Sequence, residues 1–317
     1  MRRISEPQQN ALRFTTPTPT SSSSSSSLES SLILTDELRE NLEHLHRCFQ
    51  SCRSSSSLSL PIILVRGCRG SGRSVTSAFI ARSSGLPYCL LNYKELGGRG
   101  TAAPRMLRTA LERAARMRGL LVLDDADDLI ALKGGASSSN GNLADALYVL
   151  LQGVGESCRN QCAIVLVSGS SPFSSVAPAL LDRVDLQLLL PLPTPDMRWE
   201  FARQKSLSLL SSFLTPEEKA ILLSSSLRDT PHSSPCSEDE MEILLRKVEA
   251  EEDDRQGITP QCLFVFVVVS EGWTFREMEQ VLHSVQSATL NTELCRVTTT
   301  IWYRTVLCKV NSRKLCK

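Results

Sequence analysis

PIILVRGCRGSGRS, residues Pro61 to Ser74, joins a short apolar run to a glycine-rich loop and then to the helix-like segment VTSAFIARSSG. Ile62 to Val65 form the run, Gly67, Gly70 and Gly72 punctuate the loop, and Arg73 and Ser74 close it. Strand, glycine loop and helix in that order make the layout of a phosphate-binding P-loop. Glycines let successive backbone N–H groups turn inward toward phosphate oxygens, and the helix N-terminus adds positive potential. The general pattern is G-x-x-x-x-G-K-[ST], and here Arg73 stands at the lysine position.

Outward from this stretch, strand-like and helix-like segments alternate. Pro87 to Asn92 and Leu120 to Leu123 are short apolar runs of the kind that a parallel sheet buries on both faces. Ala163 to Ser168 and Asp185 to Pro193 complete the set. Between them, PRMLRTALERAARMRG is a helix ending at Gly119, KGGASSSNGN a loop, and NLADALYVLLQGVG another amphipathic helix. Upstream, Leu38, Leu42, Leu45 and Phe49 recur at helical spacing behind Thr35 as N-cap. The expected fold is α/β: a doubly wound parallel sheet of P-loop NTPase type, followed by a smaller C-terminal helical domain.

The expected boundaries are a disordered Ser-rich tail over 1–34, the α/β domain over 35–195 and the helical domain over 196–317, with an acidic insertion near 233–257. CLFVFVVV stays open on sequence alone: its residue types favour a strand, its neighbours a buried helix.

Composition narrows the function. A net charge of +1 in 317 residues gives no general attraction to nucleic acid, and the arginines of the Gly119 helix read as a solvated face. The longest apolar run, Leu263 to Val269, is far short of the roughly 20 residues of a membrane span. Eleven cysteines without a C-x-x-C pair point to free thiols in a reducing compartment. His44, His46, Cys48 and Cys52 have spacing that could reach a metal, but no second ligand pair accompanies them, and a helix flank is preferred. The N-terminus is Arg-bearing, poor in acids and followed by seven serines, a composition shared by targeting segments and disordered tails.

A second motif gives the loop its weight. LLVLDD is an apolar strand ending in acids, the Walker B arrangement. Asp124 would stand near Mg2+ beside the Ser74 hydroxyl, and Asp125 would orient or deprotonate the attacking water.

With both motifs in order, the chain resembles the AAA+ ATPases. GCRGSGRS, RGLLVLDDAD, VLVSGSSP, LLDRVD and SEGWTFREME look like Walker A, Walker B, sensor 1, the arginine-finger region and sensor 2. The closest resemblance is to the mitochondrial "ATPase family AAA domain-containing protein 3" group, over about Thr35 to Asn291. It implies that Gly67, Gly70, Ser71, Gly72, Arg73, Ser74 and Val75 hold the phosphates of ATP, that Ser74 and Asp124 hold Mg2+, and that Asp125 takes the place of the catalytic glutamate. Arg183 would reach the ATP of a neighbouring subunit in a hexameric ring, homo- or hetero-oligomeric, unless it serves as a surface ion pair with Asp182 or Asp185. Arg276 would be the sensor 2 arginine of a helical lid. The sensor 1 asparagine falls on Gly169 or Ser170, of which Ser170 is the candidate side chain.

Three departures matter. Arg73 replaces a compact ammonium with a planar fork. Asp125 is one methylene shorter than glutamate, drawing the base back by about 1.5 Å. Neither Gly169 nor Ser170 offers an amide. The resemblance therefore implies an ATP hydrolase that remodels a protein partner, slow at turnover, or alternatively a non-hydrolysing scaffold or regulatory subunit. A DNA-acting relative is the weakest reading because the charge is near neutral. Mitochondrion is the expected location, with cytoplasm as the alternative.

Overall fold

The computed structural model describes residues 14–15, 32–54, 60–92, 102–127, 162–169, 176, 178–226, 257–292 and 296–315. Two compact units divide the chain, Met1–Pro191 and Leu192–Lys317. The expected loop at 133–142, the whole of the helix expected after it, Ser170 and nearly all of the acidic stretch lie outside the described residues.

In the first unit, α1 (Asp36–Ser54) precedes β1 (Ile62–Gly67), α2 (Arg73–Ser83), β2 (Tyr88–Asn92), α3 (Ala102–Arg116) and β3 (Leu120–Asp124). After these come β4 (Ala163–Ser168), the single turn α4 (Pro178–Leu181) and β5 (Leu186–Leu190). The strands form one parallel sheet in the order β2-β3-β4-β1-β5. β1 thus lies between β4 and β5, and β3 is reached across β4.

The apolar runs are continuous because both faces are covered. Along β1, Ile62 and Leu64 enter the core shared with α3, where Leu107, Ala110, Leu111 and Ala114 pack. Ile63 and Val65 enter the other, with Leu38, Leu42, Leu45 and Phe49 of α1 and Ile80 of α2. That is the period of two of a strand, made invisible in sequence because neither face is polar. Thr35 caps α1 as expected, its Oγ1 accepting from Leu38 N–H at 3.3 Å.

α3 stops at Arg116 rather than running to Gly119. Arg118 turns left-handed at φ 48°. Gly119 N–H returns to Ala114 O at 2.8 Å and Arg118 N–H to Ala115 O at 3.1 Å, a Schellman close. A Cβ on Gly119 would stand 2.5 Å from Pro87 O, so the approach of this turn to β2 requires glycine.

Two residues of the segment expected to be disordered have a place in the sheet. Thr15 pairs antiparallel with Tyr88 through both backbone bonds, at 2.8 and 3.0 Å. Phe14 packs against the α3-side core, with the Arg113 guanidinium 5.8 Å from its ring centroid. One bridge on an edge strand leaves no periodic trace in sequence.

The second unit is helical: α5 (Pro195–Leu209), a 3-10 turn at Ser211–Phe213, α6 (Pro216–Ser224), α7 (Pro260–Val269), α8 (Phe275–Leu290) and α9 (Thr299–Leu315). Thr194, Thr215, Thr259 and Thr274 cap α5 to α8, and proline follows the first three. Glu218 and Glu277 complete capping boxes. α7 settles CLFVFVVV as helix. Cys262 to Val267 are all buried, and Trp302 donates its indole N–H to Cys262 O at 3.2 Å. A short helix buried all round shows no amphipathic period, and its packing overrides the β-propensity of its side chains.

Candidate functional site

The loop leaves the C-terminal end of β1 at Gly67. A Cβ there would stand 2.9 Å from Leu190 O and 2.5 Å from Ser71 Oγ, so the neighbouring strand requires a glycine. Gly70 and Gly72 hold φ of 89° and 95°, where an L side chain is strained. Gly72 is the N-cap of α2 and brings no side chain to cap it. The first helical bond is Thr76 N–H to Gly72 O at 2.9 Å. The N–H groups of Arg73, Ser74 and Val75 therefore open at the mouth of the loop with the helix's positive end behind them. Val75 is 60% exposed, so its backbone rather than its side chain is what it contributes.

Across the end of β4, Ser74 Oγ donates to Asp124 Oδ2 at 2.8 Å. The two motifs that sequence spacing paired are thus in direct contact. Asp124 Oδ1 accepts from Asp125 N–H at 2.9 Å, which fixes the carboxylate in plane. Asp125 itself holds φ 53°, a conformation that aspartate tolerates better than most residues.

Asp127 is the residue that sequence reasoning passed over. Its Oδ1 accepts from Ser168 Oγ at 2.7 Å and from Gly169 N–H at 2.9 Å, while Ala126 N–H reaches Val167 O at 2.8 Å. These bonds stitch the turn after β3 to the end of β4. Arg66, 4% exposed on β1, has its pKa lowered by burial, against which the Asp127 charge acts.

Arg73 lies on that stitched end. A Cβ on Gly169 would stand 2.7 Å from its Nη2 and 2.8 Å from its Cζ, and Nη1 lies nearer still. Nη1 is buried with no hydrogen-bond partner among the described residues, and so is Ser71 Oγ.

A phosphate chain with a hard cation fits these groups. The hydroxyl–carboxylate pair suits Mg2+, which takes few protein ligands and completes its shell with phosphate oxygens and water. Among the described residues no three His, Cys, Asp or Glu side chains gather as an all-protein metal cage. His44 and Cys48 touch at 3.6 Å on α1, while His46 turns to Ser83 O at 3.0 Å. The unpartnered Nη1 and the uncapped helix start are donors suited to an anion.

Of the other expected residues in this unit, Arg183 is not brought here. Arg183 follows α4 at the start of β5, where Asp185 N–H meets Ile62 O at 2.9 Å and Asp185 Oδ2 accepts from Ile62 N–H at 2.8 Å. This is the opposite end of β1 from the loop, roughly 17 Å away at about 3.3 Å per residue. Arg276 is exposed in the second unit, beside the Thr274–Glu277 capping box of α8. Ser170 is outside the described residues.

Residues 63–192 match the family model described as "AAA: ATPase family associated with various cellular activities". No curated protein matches the chain. Among solved structures it is similar to one titled "Crystal structure of FIGL-1 AAA domain", with a TM-score of 0.65 at 10% identity, over 99% of this chain and 95% of that one. The α/β sheet with a helical C-terminal part is therefore the AAA+ fold.

Proposed function

We propose that this chain is an AAA+ ATP-binding protein that holds ATP and Mg2+ on the Gly67–Ser74 loop, hydrolyses ATP slowly, and works in a ring to remodel a protein partner. The observation that carries the reading is the 2.8 Å bond between Ser74 and Asp124, which brings two separate sequence motifs to one point. Bound ATP and Mg2+ would supply the electrophilic phosphorus and the cation that shields its charge.

The chain's own residues do the remaining work. Backbone N–H groups from Gly70 to Ser74, apart from that of Ser71, which donates to Cys68 O at 3.2 Å, orient phosphate oxygens together with the uncapped start of α2. Ser74 and Asp124 offer oxygen ligands to the cation. The Asp125 carboxylate accepts the proton of the attacking water, from a shorter arm than glutamate would give. Arg183, at the far end of the sheet, has no route to its own loop and suits a neighbour's site. A ring is the arrangement in which such an arginine acts.

A second reading has its own observation. Gly169, one of the two positions on which the sensor 1 asparagine falls, puts no side chain at the end of β4 to place a water, which favours a scaffold subunit that binds ATP without splitting it, in a mixed assembly with a better-equipped relative. The mitochondrial location and kinship to the AAA domain-containing protein 3 group stand on the segments quoted above, and a fluorescent fusion found only in the cytosol would end that part.

Purified chain tests the core of the proposal. Mg2+-dependent ATP binding, slow phosphate release and ATP-dependent assembly by sedimentation are expected. Absence of ATP binding overturns it. Binding without any phosphate release selects the scaffold.

A further inference from the structure

We propose that Arg73 and Gly169 form one phosphate-reading unit: the arginine replaces both the lysine of the loop and the side chain that would end β4, and the glycine makes room for it. The inference rests on the nucleotide-binding reading and names how the terminal phosphate is recognised.

Steric observations join the pair. The described glycines with positive φ are Gly70, Gly72, Gly85 and Gly272, and Gly169 is not among them. Its backbone therefore suits any residue. The nearest atoms that a Cβ on Gly169 would meet are the Nη1, Nη2 and Cζ of Arg73. Gly67 differs, since its Cβ would meet the Leu190 backbone. The steric work of Gly169 is thus to leave space for a guanidinium.

Chemistry gives the guanidinium its task. Nη1 is buried and unpartnered among the described residues, a costly state for a charged donor unless an acceptor arrives. Arginine presents a rigid fork that can engage two oxygens of one phosphate, whereas lysine presents a single point charge. The support beneath it is fixed, because Asp127 holds Gly169 N–H at 2.9 Å. β4 lies between β1 and β3, so the fork sits at the strand end that the Ser74–Asp124 bond spans. A fork in that place distinguishes a triphosphate from a diphosphate. Gly169 is its positioning residue.

A counterintuitive result follows. Installing asparagine at Gly169, one of the two positions where the resemblance would ask for it, damages the site instead of repairing it, unless Arg73 is shortened at the same time. The test is equilibrium binding of fluorescent ATP and ADP with Mg2+ by the full chain. Wild type is set beside Gly169→Ala, Gly169→Asn, Arg73→Lys and the Arg73→Lys/Gly169→Asn double variant, with ligand-free thermal unfolding of each.

Both Gly169 variants are expected to lose about tenfold or more in ATP affinity, the value of one charge-assisted hydrogen bond, with ADP affected less. Ligand-free unfolding of Gly169→Ala should barely move, because its Cβ displaces only the far end of a flexible side chain. In the Arg73→Lys background the asparagine should cost nothing, so the two changes are strongly non-additive. ATP affinity that Gly169→Ala leaves unchanged, or an equal loss in both backgrounds, overturns the inference while leaving nucleotide binding intact. A wild type that binds neither nucleotide overturns both. If Gly169→Asn fails to fold, Gly169→Ala in the two Arg73 backgrounds gives the same cycle.

Discussion

Two corners of one site have diverged. At one, Ser74 and Asp124 meet at 2.8 Å, with the residue types that their motifs ask for. At the other, Arg73, which stands where its motif asks for lysine, lies over Gly169. On the proposed function, the first corner would hold the cation and the second, with Asp125, would face phosphate and water. On that reading, binding and turnover fall to different corners of one site: the cation corner keeps the residue types of its motifs, while the other has an arginine at the lysine position, seated over a residue without a side chain.

The largest effect should come from breaking the cation corner. Asp124→Ala removes one of its two side-chain oxygen partners and should lower Mg2+-dependent ATP binding or turnover by about a hundredfold. Titrating Mg2+ at fixed ATP reads this directly, and an unchanged titration would mean that the corner is misassigned.

Gly67→Ala sharpens the contrast with Gly169→Ala. The first pushes into the Leu190 backbone and should cost about 1–3 kcal/mol of stability as well as ATP binding. The second should stay within about 0.5 kcal/mol in ligand-free unfolding. Equal destabilisation by both would show that the space above Gly169 is not merely a guanidinium's seat.

Asp127→Ala should act between these extremes. It leaves Ser168 Oγ and Gly169 N–H without their acceptor, at a cost of about 1–3 kcal/mol in denaturant unfolding. Its effect should fall on ATP-over-ADP preference more than on Mg2+ dependence, since its bonds to Ser168 and Gly169 support the phosphate corner.

The smallest effect is expected far from both corners. Phe14→Ala removes a partly buried ring and a cation–π contact worth about 0.5–1 kcal/mol. ATP affinity should stay unchanged, and a change would link the edge of β2 to the loop.

Much of this was legible in sequence wherever a local pattern carries the information. The loop glycines, the acid-ended strand and the apolar runs are local, and they fall as expected in β1, β3 and β4. Illegible were features made by residues distant in the chain or by burial without period. Arg73 and Gly169 are 96 residues apart in sequence, so each alone reads as a departure and only the fold brings them together. Asp127 is the third acid of the run that closes β3, indistinguishable in sequence from a solvated turn until its bonds to β4 are seen. α7 is buried on every side and so lacks the helical period, although Thr259 and Pro260 at its start are a readable helix-entry signal. Phe14 and Thr15 join the sheet by a single bridge, too little to mark a strand.

The separation of binding from turnover is tested most directly by single-turnover hydrolysis in wild type and in an Arg73→Lys/Gly169→Asn/Asp125→Glu variant, with Mg2+ and ATP in saturating protein. Wild type should bind ATP yet hydrolyse it more slowly than the triple variant, by up to about a hundredfold, the scale on which misplaced catalytic groups act. Equal rates in the two proteins, both binding ATP, would contradict the account.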